Sequence, residues 1–105
     1  MHTADILRQK LQAALAPLSL VVHDDSAAHR GHAGAAGGGG HFHVRVVSAA
    51  FEGLSLVARH RRIYEVLAEE MRGAVHALAL RTLTPAEAAA EEAAATSEEA
   101  GGQAR

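Results

Sequence analysis

The chain has 105 residues, a formal net charge of −2 and no cysteine. That length allows one small domain at most, and the missing thiols exclude disulfides, cysteine nucleophiles, Cys-rich zinc sites and a self-contained iron–sulfur centre. With no Trp, one Tyr and two Phe, the core has to be assembled from Leu, Val, Ile and Ala, and a domain of this size buries only a modest share of its surface.

The charge is unevenly spread. Up to Pro85 there are nine Lys/Arg against seven Asp/Glu, whereas from Ala86 onward there are five Glu and one Arg. A mildly basic domain thus precedes an acidic tail, and neither excess argues for nucleic acid by itself. The opening MHTADILRQK lacks a long apolar run, so no signal peptide or membrane span is expected and the cytoplasm is the default location.

In chain order, Thr3 is placed to cap a helix from Ala4 to Leu15, with Leu7, Leu11, Ala14 and Leu15 at helical spacing and Pro17 closing it. LSLVVH (18–23) suits a strand. Residues 24–39 show no periodicity, and a loop of that length in a compact domain is functional or disordered as a rule. HFHVRVVS (41–48) alternates, with Phe42, Val44 and Val46 on one face and His41, His43 and Arg45 on the other.

Phe51-Glu52-Gly53 turns the chain, a short helical piece is expected over 55–58, and a longer helix over 60–71 buries Ile63, Val66, Leu67 and Met71. Gly73 is placed to stop it. VHALALRT (75–82) forms the third strand, on which His76 shares the parity of Leu78 and Leu80 but sits at the strand's start, near the domain edge. Thr84-Pro85-Ala86-Glu87 is a capping box with Pro at the first helical position. The Ala/Glu-rich segment that follows has little to bury, so a frayed helix ending in a disordered GGQAR is expected. The element order gives an α+β domain over residues 1–85, with helices on one face of a three-stranded sheet, a flexible loop over 24–40, and a tail over 86–105.

HRGHAGAAGGGGHFH (29–43) places His29, His32, His41 and His43 around a glycine run. A phosphate-binding P-loop would need Lys and Ser/Thr opening a helix after the glycines, but a strand follows. GAAG (34–37) matches the GXXG of KH domains, yet it lies between two strands instead of two helices. His23, His41 and His43 read as sheet residues and His60 as a helix-entrance residue, while Arg59, Arg61 and Arg62 read as a solvated basic face. His29 and His32 have no packing duty in such a loop, and spacing alone does not bring either to His76. No nucleophile–base pair or H-E-x-x-H pattern suggests an enzyme.

DDSAAH (24–29), HFHVRVVSAAFEGL (41–54), RHRRIYEVLAEEM (59–71) and VHALALRTLTPAE (75–87), in this order and spacing, strongly resemble the BolA family. The resemblance implies an α-β-β-α-α-β fold similar to the type II KH arrangement but lacking its nucleotide-clamping loop. It further implies an adaptor that pairs with a monothiol glutaredoxin and shares a [2Fe–2S] cluster with it and glutathione. The family's invariant histidine falls on His76, the expected iron ligand, and the family's loop ligand falls on His29. The loop departs from the family by replacing a shorter segment, frequently with Pro and an acidic residue, with RGHAGAAGGGG, so His32 stays an alternative to His29. Such a cluster needs thiolates that this chain lacks, and imidazole ligands on one iron raise the reduction potential relative to all-thiolate ligation. Because the imidazoles must be deprotonated, assembly is expected to weaken as the pH falls towards about 6. The family also includes transcriptional regulators, and the segment 51–71 resembles a helix-turn-helix, with Arg59, His60, Arg61 and Arg62 as its DNA candidates and Glu65, Glu69 and Glu70 opposing phosphate. A homodimer is a further partner allowed by the resemblance.

Overall fold

The computed structural model describes residues 2–25 and 40–103, with side chains described as far as residue 95. The first helix, α1 (Thr3–Leu15), buries Leu7, Leu11 and Leu15, three residues four apart on one stripe. Thr3 lies inside the helix and does not cap it. The main-chain carbonyl of His2 accepts from the N–H groups of Asp5 and Ile6 instead. The helix ends where Ala16 takes up a left-handed conformation (φ 43°, ψ 55°) and donates its N–H to the Gln12 carbonyl. Pro17 follows and cannot continue the helix. The buried Ser48 hydroxyl donates to the carbonyl of Leu15 at 2.6 Å, which satisfies one of the acceptors a helix C-terminus leaves open.

Three strands follow the order β1-β2-β3 in one sheet: β1 (Ser19–Asp24), β2 (Gly40–Val47) and β3 (Val75–Leu83). β1 runs antiparallel to β2, and β2 runs parallel to β3. The parallel pair requires a crossover, which is supplied by a 3-10 turn (Ala49–Phe51), α2 (Leu56–Val66) and α3 (Ala68–Met71). Gly53 turns the chain into this crossover at φ +79°, a backbone that L side chains resist. Ser55 caps α2 through the N–H of Ala58, and the helix then continues without interruption. The break expected between residues 58 and 60 falls at Leu67, whose fully buried side chain packs between the helical segments and the sheet.

Phe42, Val44 and Val46 on β2, with Val22 on β1, meet Leu7, Leu11 and Leu15 from α1, Ile63 from α2, Leu67 and the 3-10 residue Phe51. Phe51, Leu7, Leu11, Ile63, Leu67 and Val46 are completely buried. Burial of one such side chain contributes roughly 1.5–3 kcal/mol, so this apolar cluster supplies the domain's stability without Trp. α1 and the crossover helices therefore cover one face of the sheet, as the alternation of β2 dictates.

The last helix, α4 (Pro85–Gln103), begins with the expected capping box. Thr84 Oγ1 accepts from the N–H of Glu87 at 3.2 Å, and Glu87 Oε1 accepts from the N–H of Thr84 at 2.9 Å. Its backbone remains helical beyond the point at which the composition suggests disorder, to Gln103. Glu91 reaches back to Arg45 Nη2 at 3.4 Å and also bonds Arg81, so one carboxylate bridges two register partners on the outer face of the sheet. The start of the tail is thus tied to the domain.

Candidate functional site

The end of the sheet where β1 finishes and β2 and β3 begin carries most of the chemistry. Its first feature is an irregularity between β2 and β3: Gly40 pairs with Val75 and His41 pairs with Ala77, which leaves His76 as an extra residue in β3. A bulge of this kind re-aims the side chains on either side of it. From Ala77 onward β3 keeps its parity, with Leu78 and Leu80 packed against the core. Before the bulge the parity is inverted, so Val75 is 3% exposed and belongs to the core, while His76 is exposed. The expectation that His76 shares a face with Leu78 and Leu80 fails for this reason.

Gly40 is needed opposite the bulge. A Cβ there would lie 2.2 Å from Phe42 Cε2 and 2.8 Å from Phe42 Cζ, far inside contact distance of a buried ring. The last glycine of the run is therefore part of a packed strand and not of a tether.

The bulge sets His76 beside His41, with ring centroids 5.4 Å apart and planes at 45°. Along the sheet, His23 and His43 are register partners, with ring centroids at 6.1 Å. Both turn to Asp25: His43 Nε2 lies 3.4 Å from Oδ2, and His23 Nε2 lies 3.9 Å from Oδ1. The Asp25 N–H donates to the His41 carbonyl at 2.7 Å. Four imidazoles and one carboxylate thus line one end of the outer face, away from the point where Glu91 of α4 touches it. Among the described residues, no group of three or more His, Cys, Asp or Glu is arranged to hold a metal ion. His29 and His32 lie outside the described residues, so the geometry involves only His76 of the three expected ligands. His41 was read from the sequence as a plain sheet residue, and no signal in the sequence announces the bulge that brings His76 to it.

The basic segment divides in two. Arg59 is buried: its Nε donates to the Leu54 carbonyl at 3.0 Å, its Nη1 donates to the Thr82 carbonyl at 3.2 Å, and Glu87 receives both Nη1 and Nη2, at 2.6 and 3.1 Å. This bidentate bond, joined by the Thr84 N–H, holds the Glu87 carboxyl well below its ordinary 4.5, at about 2. Arg59 was expected on a solvated basic face, but its guanidinium is consumed inside the fold, tying α2 to β3 and α4. His60 is half-buried, and Arg61 and Arg62 are exposed. Of the three glutamates expected to oppose phosphate, Glu69 and Glu70 pair with Lys10 of α1, at 3.2 and 2.7 Å.

The family model described as BolA-like protein matches residues 11–87, most of the chain. The chain belongs to the BolA family. It is similar to "Protein BOLA1, chloroplastic" of Arabidopsis thaliana, 45% identical over 89 residues, which cover 82% of this chain and 56% of that one. It is 48% identical to BolA-like protein 1 of Mus musculus over 81 residues, covering 77% of this chain and 57% of the relative. It is also similar to the DNA-binding transcriptional regulator BolA of Haemophilus influenzae, 38% identical over 87 residues, covering 83% of this chain and 82% of that protein. The chain thus spans a little over half the length of the plant and mouse BolA relatives. Among solved structures, BolA1 from Arabidopsis thaliana matches with a TM-score of 0.73 at 44% identity, covering 83% of this chain and 96% of the other. The BolA domain of SufE1 from the same plant gives a TM-score of 0.72 at 42% identity, covering 83% and 98%. No helix among the described residues is long and apolar enough to cross a membrane.

Proposed function

We propose that this BolA-family chain is an adaptor, not an enzyme, that partners a monothiol glutaredoxin and co-ligates a [2Fe–2S] cluster with it and with glutathione, the cluster being its cargo in iron–sulfur trafficking or iron sensing. The observation that carries this reading is the exposed imidazole of His76, turned outward by the bulge at the end of the sheet where β3 begins. A cluster shared between two proteins needs a ligand that a partner can approach, and a core-facing His76 would not serve. The donor chemistry fits: the chain offers imidazole nitrogen and no thiol, so a partner's thiolates complete the set.

The second nitrogen comes from His29, with His32 as the alternative. The segment holding them starts at Asp25 and ends at Gly40, both adjacent to His41. We place this activity in the cytoplasm, although the Arabidopsis relative is named for the chloroplast.

Mixing the chain with a monothiol glutaredoxin and glutathione under cluster-reconstituting conditions tests the reading. The visible absorption and circular dichroism should depart from those of the glutaredoxin homodimer, and His76→Ala should abolish the departure. No change with the wild-type chain, or the same change with His76→Ala, refutes it.

The name of the Haemophilus influenzae relative supports a second reading, a DNA-binding regulator using the segment 51–71. Arg61 and Arg62 are exposed and Glu69 is engaged by Lys10, but Arg59 is spent internally. A DNA titration at two salt concentrations decides it: phosphate contacts by these arginines require a salt slope of about one per contact, and a flat response excludes it.

A further inference from the structure

We propose that the free edge of β1 is the interface of a symmetric dimer, in which β1 pairs antiparallel with β1 of a second copy and the two sheets join into one. The first ground is which backbone groups β1 leaves over. The N–H groups of Gly40 and of Ser48, just past the end of β2, donate to Ala74 and Leu83 on the β3 side, while the His41 carbonyl accepts from Asp25 on the β1 side. Backbone groups alternate between the two sides of a strand, so His43 and Arg45 also turn to β1, and the unbroken register makes His23 and Val21 their partners. The N–H and C=O groups of Leu20 and Val22 therefore point away from β2, along an edge on which no other strand of the described residues lies.

The second ground is that this edge is unguarded. Natural sheets blunt a free edge with Pro, Lys, inward-pointing charge or a bulge. β3, on the other side of the sheet, carries the bulge at His76 and the charge of Arg81. SLVVH (19–23) has none of these devices and pairs with β2 without a register shift. Val21 is 53% exposed and Leu18, just before the strand, 75%.

Self-complementarity identifies the occupant. A two-fold axis through Val21 sets Leu20 opposite Val22 of the second copy, and Val22 opposite its Leu20, so the outward groups satisfy one another in a closed, isologous contact. The two Val21 side chains then meet on the outer face, where facing Cα atoms lie about 4.5 Å apart. Ser19 meets His23 and Leu18 meets Asp24, so no like charges oppose each other. The uncharged segment 18–23 offers nothing that selects an acidic or a basic chain instead. A contact made by one strand falls short of the standard interface of about 1,200–2,000 Å², so the dimer is weak and concentration-dependent.

The test contains no glutaredoxin and no cluster, so its outcome is independent of the adaptor reading. Sedimentation equilibrium of the full chain from about 10 μM to about 1 mM should show reversible dimerisation, and amide exchange followed by NMR reads the register. Protection of the Leu20 and Val22 N–H groups should rise with concentration, while that of Val21, already bonded to β2, should not change. Val21→Lys, on the outer face, puts like charges on the axis and should weaken association at least about tenfold. Val21→Thr, still β-branched, should retain it. Val57→Lys, at a comparably exposed apolar position on α2, should leave it unchanged, and far-ultraviolet circular dichroism checks that each variant folds. A chain that stays monomeric at about 1 mM, Leu20 and Val22 protection that ignores concentration, or a dimer that survives Val21→Lys or is lost with Val57→Lys overturns the proposal.

Discussion

Gly40→Ala should be among the most damaging single-methyl changes the chain can suffer. Its added Cβ would sit 2.2 Å from Phe42 Cε2 and 2.8 Å from Cζ, where carbon atoms ordinarily rest at about 3.5–4.0 Å. Relief requires a displacement of more than about 1 Å, and the Phe42 ring is 3% exposed, packed in the main apolar cluster. Overpacking of this kind costs about 1–3 kcal/mol. At about 4–8 °C per kcal/mol for a domain of this size, the midpoint of thermal unfolding should fall by about 5–20 °C. Gly73→Ala is the internal control. Nothing lies within 4 Å of its Cβ position, and its φ is outside the left-handed region, so it should be neutral or stabilising by up to about 1 kcal/mol. Thermal unfolding followed by circular dichroism, with urea titration for the free energy, separates the two. If Gly40→Ala unfolds within about 2 °C of wild type, well under the effect of 1 kcal/mol, the close approach of ring and backbone described above is wrong.

Ala16→Gly should stabilise the chain by about 0.5–1 kcal/mol in urea. It removes the cost of about 1–2 kcal/mol of a left-handed L residue, offset in part by the greater entropy of glycine in the unfolded chain. Leu11→Ala, at a fully buried position, should cost about 2–5 kcal/mol in the same titration. The Arg59–Glu87 pair predicts a pH dependence. The Glu87 carboxyl is lowered in the fold from 4.5 to about 2, first by the Arg59 hydrogen bond and then by the Thr84 N–H. Its contribution is therefore present above its unfolded pKa and disappears as the pH falls from about 5 towards 2. The difference in midpoint between wild type and Glu87→Gln should be largest near neutrality and close up over that interval, and a difference that stays constant with pH would count against the assignment.

Much of the fold was legible in local pattern. The stripe of Leu7, Leu11 and Leu15, the alternation of Phe42, Val44 and Val46, and the Thr84–Glu87 capping box each depend on residues a few positions apart, and each forms as the spacing requires. Thr3 shows where that reasoning stops, because a residue able to cap is not thereby the cap. Arg59 shows it more sharply. Inside ARHRR it is indistinguishable from Arg61 and Arg62, and only the approach of β3 and α4, more than twenty residues further along, makes it a buried tie.

The sequence by itself determined the elements, their order and the absence of any thiol to bind metal. What only the tertiary structure decided is which way His76 looks. Counting alternate residues back from Leu80 puts it in the core, but one unpaired residue against β2 inverts the count, burying Val75 and bringing His76 to His41. Strand parity is a local property, whereas register is a property of two strands, and a single chain segment does not encode the slip between them.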